Sequence, residues 1–407
     1  MRSNYRSGPR RPASRRFGPT TRRGPAKSNK QTIDPARYIK KANQAQTADY
    51  KSANSFADFA IHPLLKSNVA IKGYKAPSEI QDKTIPLGLA GRDVVGVANT
   101  GTGKTAAFAL PILNKLMHDR SAQALIIAPT RELAAQIEDQ CRHFAKNSGL
   151  SGALLIGGLP LGRQVTALKS NPRIIIGTPG RIKDHLNQGK LDLGRCGMVV
   201  LDEVDRMLDM GFINDVRFLL DRLPATRQSF FFSATLNSAV AKLIAGFTQQ
   251  PVTVNVKISE TSDNVNQNIL TYSSKTERLD QLHDVLLGVG VTKSLIFGRT
   301  KYGVERLAKE LKARGFKAGA LHGGMTQGAR QRTLDSFRDS SLSVLVATDV
   351  AARGIDVIDI SHVINFDTPM TYDDYTHRIG RAGRTNLIGQ ALTFVPADSN
   401  FYNHRQG

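Results

Sequence analysis

The sequence predicts an α/β protein made of two parallel-sheet domains in tandem, preceded by a disordered basic arm. Three observations carry that prediction. The chain has 407 residues, too many for one core. From residue 93 onward, short apolar runs alternate with amphipathic helical runs, the pattern of a βαβ series and a mostly parallel sheet. A polar run without a clear period, Lys-Ile-Ser-Glu-Thr-Ser-Asp-Asn at 257–264, then divides two such series. The resulting division is an arm at 1–50, a first domain at 51–257, a linker at 258–264 and a second domain at 265–407.

The elements follow in order. Residues 56–92 read as a short helical region ending in Gly73-Tyr74-Lys75-Ala76-Pro77-Ser78-Glu79-Ile80-Gln81. First-domain strand candidates are 93–97, 124–128, 152–156, 173–177, 198–201, 228–232 and 252–256, with helices notably at 131–146 and 237–247. The second domain offers strands at 266–272, 293–297, 317–321, 342–347, 361–366 and 389–395, and helices at 275–287, 301–314, 327–338 and 371–379. Ligands of open parallel sheets sit at the carboxyl ends of strands.

Charge points to a polyanion. The formal net charge is +22, which suits nucleic acid or an anionic membrane surface. The arm holds thirteen Lys/Arg against Asp34 and Asp49, and its first thirty residues contain no acid. Gly-Pro recurs at 8–9, 18–19 and 24–25. Such a segment cannot bury a core and is expected to be disordered. It reads as a clamp on RNA phosphates or as a solubilising tail. Its Pro and Gly argue against the amphipathic helix of an organelle transit peptide. No apolar run approaches the ~18 residues of a membrane span. Cys141 and Cys196 are the only cysteines, too few for a disulfide framework or a cysteine-based metal site, and a reducing, cytoplasmic compartment fits.

The most informative stretch is Ala98-Asn99-Thr100-Gly101-Thr102-Gly103-Lys104-Thr105, between an apolar strand and a helical run. That is the context of a phosphate-binding loop. Its glycines let backbone N–H groups turn inward around phosphate oxygens, and the helix N-terminus adds partial positive charge. Lys104 would reach the β/γ-phosphates and the Thr105 hydroxyl would hold Mg²⁺. The strict pattern opens with Gly, and Ala98 stands there instead. Alone, the loop says NTPase and no more.

A second motif, Asp202-Glu203-Val204-Asp205, directly follows the apolar strand Met198-Val199-Val200-Leu201. A carboxylate ending such a strand, paired with a phosphate-binding loop, is the Walker-B arrangement. Asp202 would hold Mg²⁺, and Glu203 would orient and deprotonate the attacking water. By itself the motif also reads as an acidic helix start.

Further motifs recur in a fixed order. Phe56 lies seventeen residues before Gly73; then come 73–81, 98–105, Pro129-Thr130-Arg131-Glu132-Leu133-Ala134, Gly157-Gly158, Thr178-Pro179-Gly180-Arg181, 202–205 and Ser233-Ala234-Thr235. The second domain carries Leu295-Ile296-Phe297, Gln327 with Arg330, Thr348 through Asp356, and His377 through Arg384. Over roughly 56–395 the chain resembles a DEAD-box ATP-dependent RNA helicase of superfamily 2, most like bacterial RhlE-type members.

The resemblance implies two RecA-like domains, ATP and Mg²⁺, and sequence-independent RNA binding with local unwinding of short duplexes. It gives Gln81 the adenine, with Tyr74 and Phe56 as apolar support for the base and its loop. It makes Arg381 and Arg384 arginine fingers, and places Asp356 on the ribose. Asp205, Ser233, Thr235 and His377 would link the nucleotide to the RNA. Pro129, Thr130, Arg131, Gly157, Gly158, Thr178 and Arg181 in the first domain, and Gln327, Arg330 and Thr348 in the second, would contact RNA. Backbone amides, hydroxyls and arginines read phosphates and 2′-hydroxyls. With no Trp and 6% aromatics, extensive base stacking is not the expected mode. Val204 departs from the Ala of the family motif and puts the rate in question. A DNA-directed helicase, and an RNA clamp without turnover, remain as alternatives.

Overall fold

Strands buried on both faces read as unbroken apolar runs, and the inner strands of both sheets are built that way. A computed structural model describes residues 34–42, 50–99, 101–256, 264–352, 357, 359–383 and 388–397. In the first domain β1 (Val94–Val97), β2 (Ala124–Ile127), β3 (Gly152–Leu155), β4 (Ile174–Gly177), β5 (Met198–Leu201), β6 (Gln228–Ser233) and β7 (Val252–Asn255) lie in the order β3-β4-β2-β5-β6-β1-β7. In the second, β8 (Val265–Tyr272), β9 (Ser294–Phe297), β10 (Ala318–Leu321), β11 (Val344–Ala347), β12 (His362–Asn365) and β13 (Gly389–Pro396) lie in the order β10-β11-β9-β12-β13-β8. Every neighbouring pair is parallel. Each predicted strand forms within two residues of its expected limits.

Alternation of side chains across a strand assigns each residue to a face. Phe230 and Phe232 of β6 join the core beneath the helices Lys104–His118 and Arg131–Phe144, with Phe108, Ile137 and Phe144. Phe231 points the other way, toward Val216, Leu219, Val240 and Leu243 on the helices Ile213–Leu220 and Ser238–Phe247. The second sheet divides likewise. Leu295, Leu345 and Val363 pack with Phe337 and Tyr375, while Ile296, Val346 and Ile364 pack with Leu282, Leu307 and Leu311.

The close approach at Gly96 shows how tightly the first core is filled. A Cβ there would lie 2.4 Å from Phe232 Cε1 and 3.4 Å from Ile80 Cδ1. Overpacking of this kind costs about 1–3 kcal/mol. Gly96→Ala is therefore expected to lower the first domain's unfolding midpoint in a thermal melt; an unchanged melt would show that Phe232 can move aside.

One boundary differs from the sequence reading. Residues 34–42, assigned to the disordered arm, form a turn and a strand contact on the second domain. Asp34 caps a single 3-10 turn, Pro35–Tyr38, by accepting from Ala36 N at 2.9 Å, and Tyr38 is buried in that domain's core. The apolar ring of Tyr38 outweighs the segment's basic character. Residues 1–33 and 43–49 of the arm and 258–263 of the linker lie outside the described residues. Among those described, no helix is long and apolar enough to cross a membrane.

Candidate active site and nucleic-acid interface

The phosphate-binding loop leaves β1 and turns into the helix Lys104–His118. Gly101 and Gly103 take φ of 85° and 91°, a region open to glycine at little steric cost. Ala98 is fully buried, and its N–H donates to Ser233 O at 3.0 Å. Lys104 is buried; its ammonium donates to Ala98 O at 3.1 Å and lies 3.9 Å from Asp202 Oδ1. Thr102 Oγ1 donates to Asn99 O at 2.8 Å. Thr105 sits half-buried in the first helical turn. Thr100 lies outside the described residues.

The Gln81 amide locks the upstream helix Glu79–Leu89 onto this loop. Its Nε2 donates to Gly103 O at 3.0 Å and its Oε1 accepts from Ser78 N at 3.0 Å. Ser78 Oγ also donates to Thr102 O at 2.7 Å. Phe56 and Tyr74 pack edge-on at 5.6 Å, and Tyr74 meets Phe144 at 5.7 Å, so both rings brace the 73–81 segment from the core side. Sequence reasoning missed Asp82. Its buried carboxylate accepts from Tyr50 Oη, Ala53 N, Asn54 N and Asn54 Nδ2 at 2.7–3.2 Å, fixing the chain ahead of Phe56. Its place in a first helical turn suits an ordinary dipole-matching acid equally well, so the sequence carries no distinct signal for it.

The two carboxylates end β5. Asp202 N donates to Ile127 O at 3.0 Å, and Glu203 N to Asp202 Oδ1 at 3.0 Å. Glu203 takes φ 56°, ψ 55°, a left-handed conformation that costs a non-glycine residue about 1–3 kcal/mol and clusters at functional sites. Burial pushes Asp202 up to about 6; Lys104 opposes this and Glu203 adds to it. Burial also pushes Glu203 up, but Arg206, Lys104, Arg381 and His377 together hold it below the usual carboxylate range. Arg206 was not anticipated. One turn along the helix Val204–Asp209, its Nη1 donates to Glu203 Oε2 at 3.0 Å, and both are buried. The i, i+3 spacing was the available signal. Val204 is fully buried in the core on this face of the sheet.

Asp205 ties this helix to the end of β6. Its Oδ2 accepts from Ala234 N, Thr235 N and Thr235 Oγ1 at 3.0–3.1 Å. Ser233 Oγ accepts from Asp205 N at 3.3 Å and donates to Thr235 O at 2.7 Å.

In the second domain the helix Tyr372–Ile379 carries His377 and runs into Arg381, which is buried. Both act electrostatically on Glu203 of the first domain. Arg378 between them forks onto Asp349 at 2.6 and 2.7 Å and donates to Asn365 Oδ1 and Asp367 O. It thereby joins the segment after Thr348 to this helix. Arg384 and Asp356 lie outside the described residues.

The expected RNA residues follow the ends of β2, β3, β4 and β11. Thr130 caps the helix Arg131–Phe144 by accepting from Leu133 N at 3.2 Å, beside buried Pro129. Arg131 lies against Gly157 and Gly158: a Cβ on either would stand 2.6 Å from its guanidinium. Thr178 caps the helix Pro179–Asn187, on which Arg181 keeps a buried Nη1 with no protein partner. Thr348 O accepts from Ala351 N and Ala352 N. Gln327 and Arg330 both lie on the seam between the domains. A Cβ on Gly158 would be 3.5 Å from Gln327 Cβ. Arg330 is committed to Glu132 of the first domain at 2.7 Å and to His322 O at 3.0 Å. A buried guanidinium facing a buried carboxylate pairs with it.

Residues 78–243 match the DEAD/DEAH box helicase family and residues 257–386 the helicase conserved C-terminal domain. The chain is 41% identical over 341 residues to the ATP-dependent RNA helicase CshA of Listeria monocytogenes, covering 84% of this chain and 66% of that protein's length. It is similar to S. cerevisiae Dbp5 bound to RNA and ADP BeF3, with a TM-score of 0.75 and 31% identity over 86% of this chain and 91% of that one. A DEAD box protein from the hyperthermophile Methanococcus jannaschii matches with a TM-score of 0.51 and 36% identity, over 84% and 93% of the two chains. With two parallel-sheet domains, motifs at the carboxyl ends of their strands and both family regions in tandem, this chain belongs to the DEAD/DEAH box helicase family.

Proposed function

We propose that the protein is an ATP-dependent RNA helicase that couples ATP binding and hydrolysis to sequence-independent RNA binding and local unwinding of short duplexes. The observation that carries this is the convergence on Glu203: Lys104 and Arg206 from its own domain and His377 and Arg381 from the other all act on one buried carboxylate. A carboxylate so placed can take a proton from water attacking the γ-phosphate, and the arginine can stabilise charge developing there. That arginine arrives only when the domains meet, so RNA that favours closure controls hydrolysis. The buried Nη1 of Arg181 supports a phosphate contact on the first domain.

Mg²⁺ fits the donor set. Among the described residues no group of three or more His, Cys, Asp or Glu could hold a metal alone. Mg²⁺ binds through one or two carboxylates plus substrate phosphates and water, which Asp202 and the Thr105 hydroxyl suit. When bound, it neutralises phosphate charge. Cys141 and Cys196 are buried free thiols, as suits a reducing compartment such as the cytoplasm.

The test is ATP turnover with and without nucleic acid. An arginine finger is generally worth 10³–10⁵, so RNA-driven closure should raise turnover by about tenfold or more. Single-stranded DNA should not, and Lys104→Ala should abolish the response. Equal stimulation by DNA would favour a DNA-directed helicase. RNA binding without any turnover would favour a clamp.

A further inference from the structure

Residues 34–42 precede the first domain in sequence but are seated on the second. Tyr38 is 2% exposed, with its ring 4.6 Å from that of Tyr375. The Arg37 guanidinium lies 4.1 Å from the centroid of Tyr372. Lys40 exchanges both backbone hydrogen bonds with Gln267 at 3.1 and 2.7 Å, adding an antiparallel rung to the outer edge of β8. Ala42 N donates to Asn266 Oδ1 at 2.8 Å, and Tyr375 Oη to Gln267 Oε1 at 2.9 Å. Turn, edge strand and the helix Tyr372–Ile379 thus form one packed unit. That helix carries His377 and leads to Arg381.

Eight residues beyond Ala42 the chain is on the other domain. Tyr50, Ala53 and Asn54 all bind the Asp82 carboxylate, next to Gln81. A trans chain spans at most ~3.3–3.6 Å per residue, so these two anchorages can stand no more than about 28 Å apart.

We propose that residues 34–54 are a second covalent tether between the domains, beside the linker, and that Arg37 and Tyr38 are positioning residues for the helix that brings His377 and Arg381 to Glu203. Covering an exposed strand edge would by itself be a sufficient reason for a docked segment. It does not account for anchorage on both domains, beside the groups each contributes to the nucleotide site. With one linker the second domain can swivel freely; with two it is confined near the closed arrangement. Confinement raises the effective concentration of the arginine at the phosphate. The inference rests on the ATPase reading only for its turnover measurements.

The decisive variant inserts twenty Gly/Ser residues between Gln46 and Thr47, altering no docked residue. Dyes on Lys190→Cys and Lys309→Cys, both exposed positions in different domains, report the interdomain distance while the two native thiols stay buried. The insertion should broaden the distance distribution without ligand and weaken RNA-dependent closure about three- to tenfold. RNA-stimulated kcat should fall with it, with KM for ATP little changed. Tyr38→Ala should lower RNA-stimulated kcat about fivefold at constant KM for ATP, and Tyr38→Phe, which keeps the ring, should restore it. An unchanged distance distribution after insertion overturns the tether. Turnover of Tyr38→Ala equal to the unmodified chain overturns the positioning role. If the unmodified chain showed no turnover, the function would fail while the distance measurement still decided the tether.

Discussion

Glu203→Gln is expected to lower RNA-stimulated ATP turnover by about 10²–10⁴-fold, the range of a positioned general base, while RNA binding in the presence of ATP persists. The amide keeps the shape of the side chain and still accepts the Arg206 hydrogen bond seen at 3.0 Å. It loses the proton affinity and the charge on which Lys104, Arg381 and His377 act. Domains that close on ATP and RNA without turning over should hold RNA longer. Single-turnover hydrolysis and filter binding on the same preparation separate the two effects. Unchanged turnover would sink the assignment of Glu203 and with it the proposed chemistry.

The second large effect is expected at the seam. Glu132 and Arg330 are 4% and 6% exposed and meet across the domains. Removing one partner of a buried pair leaves an uncompensated charge, at a cost of about 3–5 kcal/mol. Opening the domains would return that charge to water, so the cost falls on closure rather than on the fold of either domain. Glu132→Ala or Arg330→Ala should therefore weaken RNA binding in a non-hydrolysable ATP analogue by about 10²–10³-fold, with unchanged melting of each domain. Glu132→Arg combined with Arg330→Glu should recover part of the loss. Single variants that bind as tightly as the parent would show that the pair does not support closure.

Much of this was legible in the sequence because the relevant signals are local. Continuous apolar runs placed the inner strands, since a strand covered on both faces has no polar side to show. The Gly-Thr-Gly-Lys-Thr run between an apolar strand and a helical run flagged the loop at 98–105, and an acid after an apolar run flagged Asp202. What escaped depends on contacts distant in sequence. Arg330 meets Glu132 across 198 residues of sequence, a contact that exists only once the two domains dock. Asp82 looks like a helix-start acid until residues 50–54 fold back on it. Tyr38 sits among basic residues whose composition argues against a core, yet its ring against Tyr375 and the Lys40–Gln267 rung seat the segment. Arg206 lay in plain view at helical spacing from Glu203, but spacing alone does not distinguish a buried pair from a solvated one.

The pairing of β8 with β13 has a consequence for how the chain becomes a protein. Val265 through Tyr272 bond in register to Gly389 through Pro396, so the strand that opens the second sheet waits for the one that closes it. Neither sheet contains a hairpin, and such non-local pairings form slowly. On a ribosome the first domain has all its strands once Asn255 has emerged, long before β13 exists. The edge that receives Lys40 is completed later still. The segment at 34–42, synthesised before either domain, is thus among the last to find its place. Folding should proceed in two stages, with docking of the N-terminal strap as its final event.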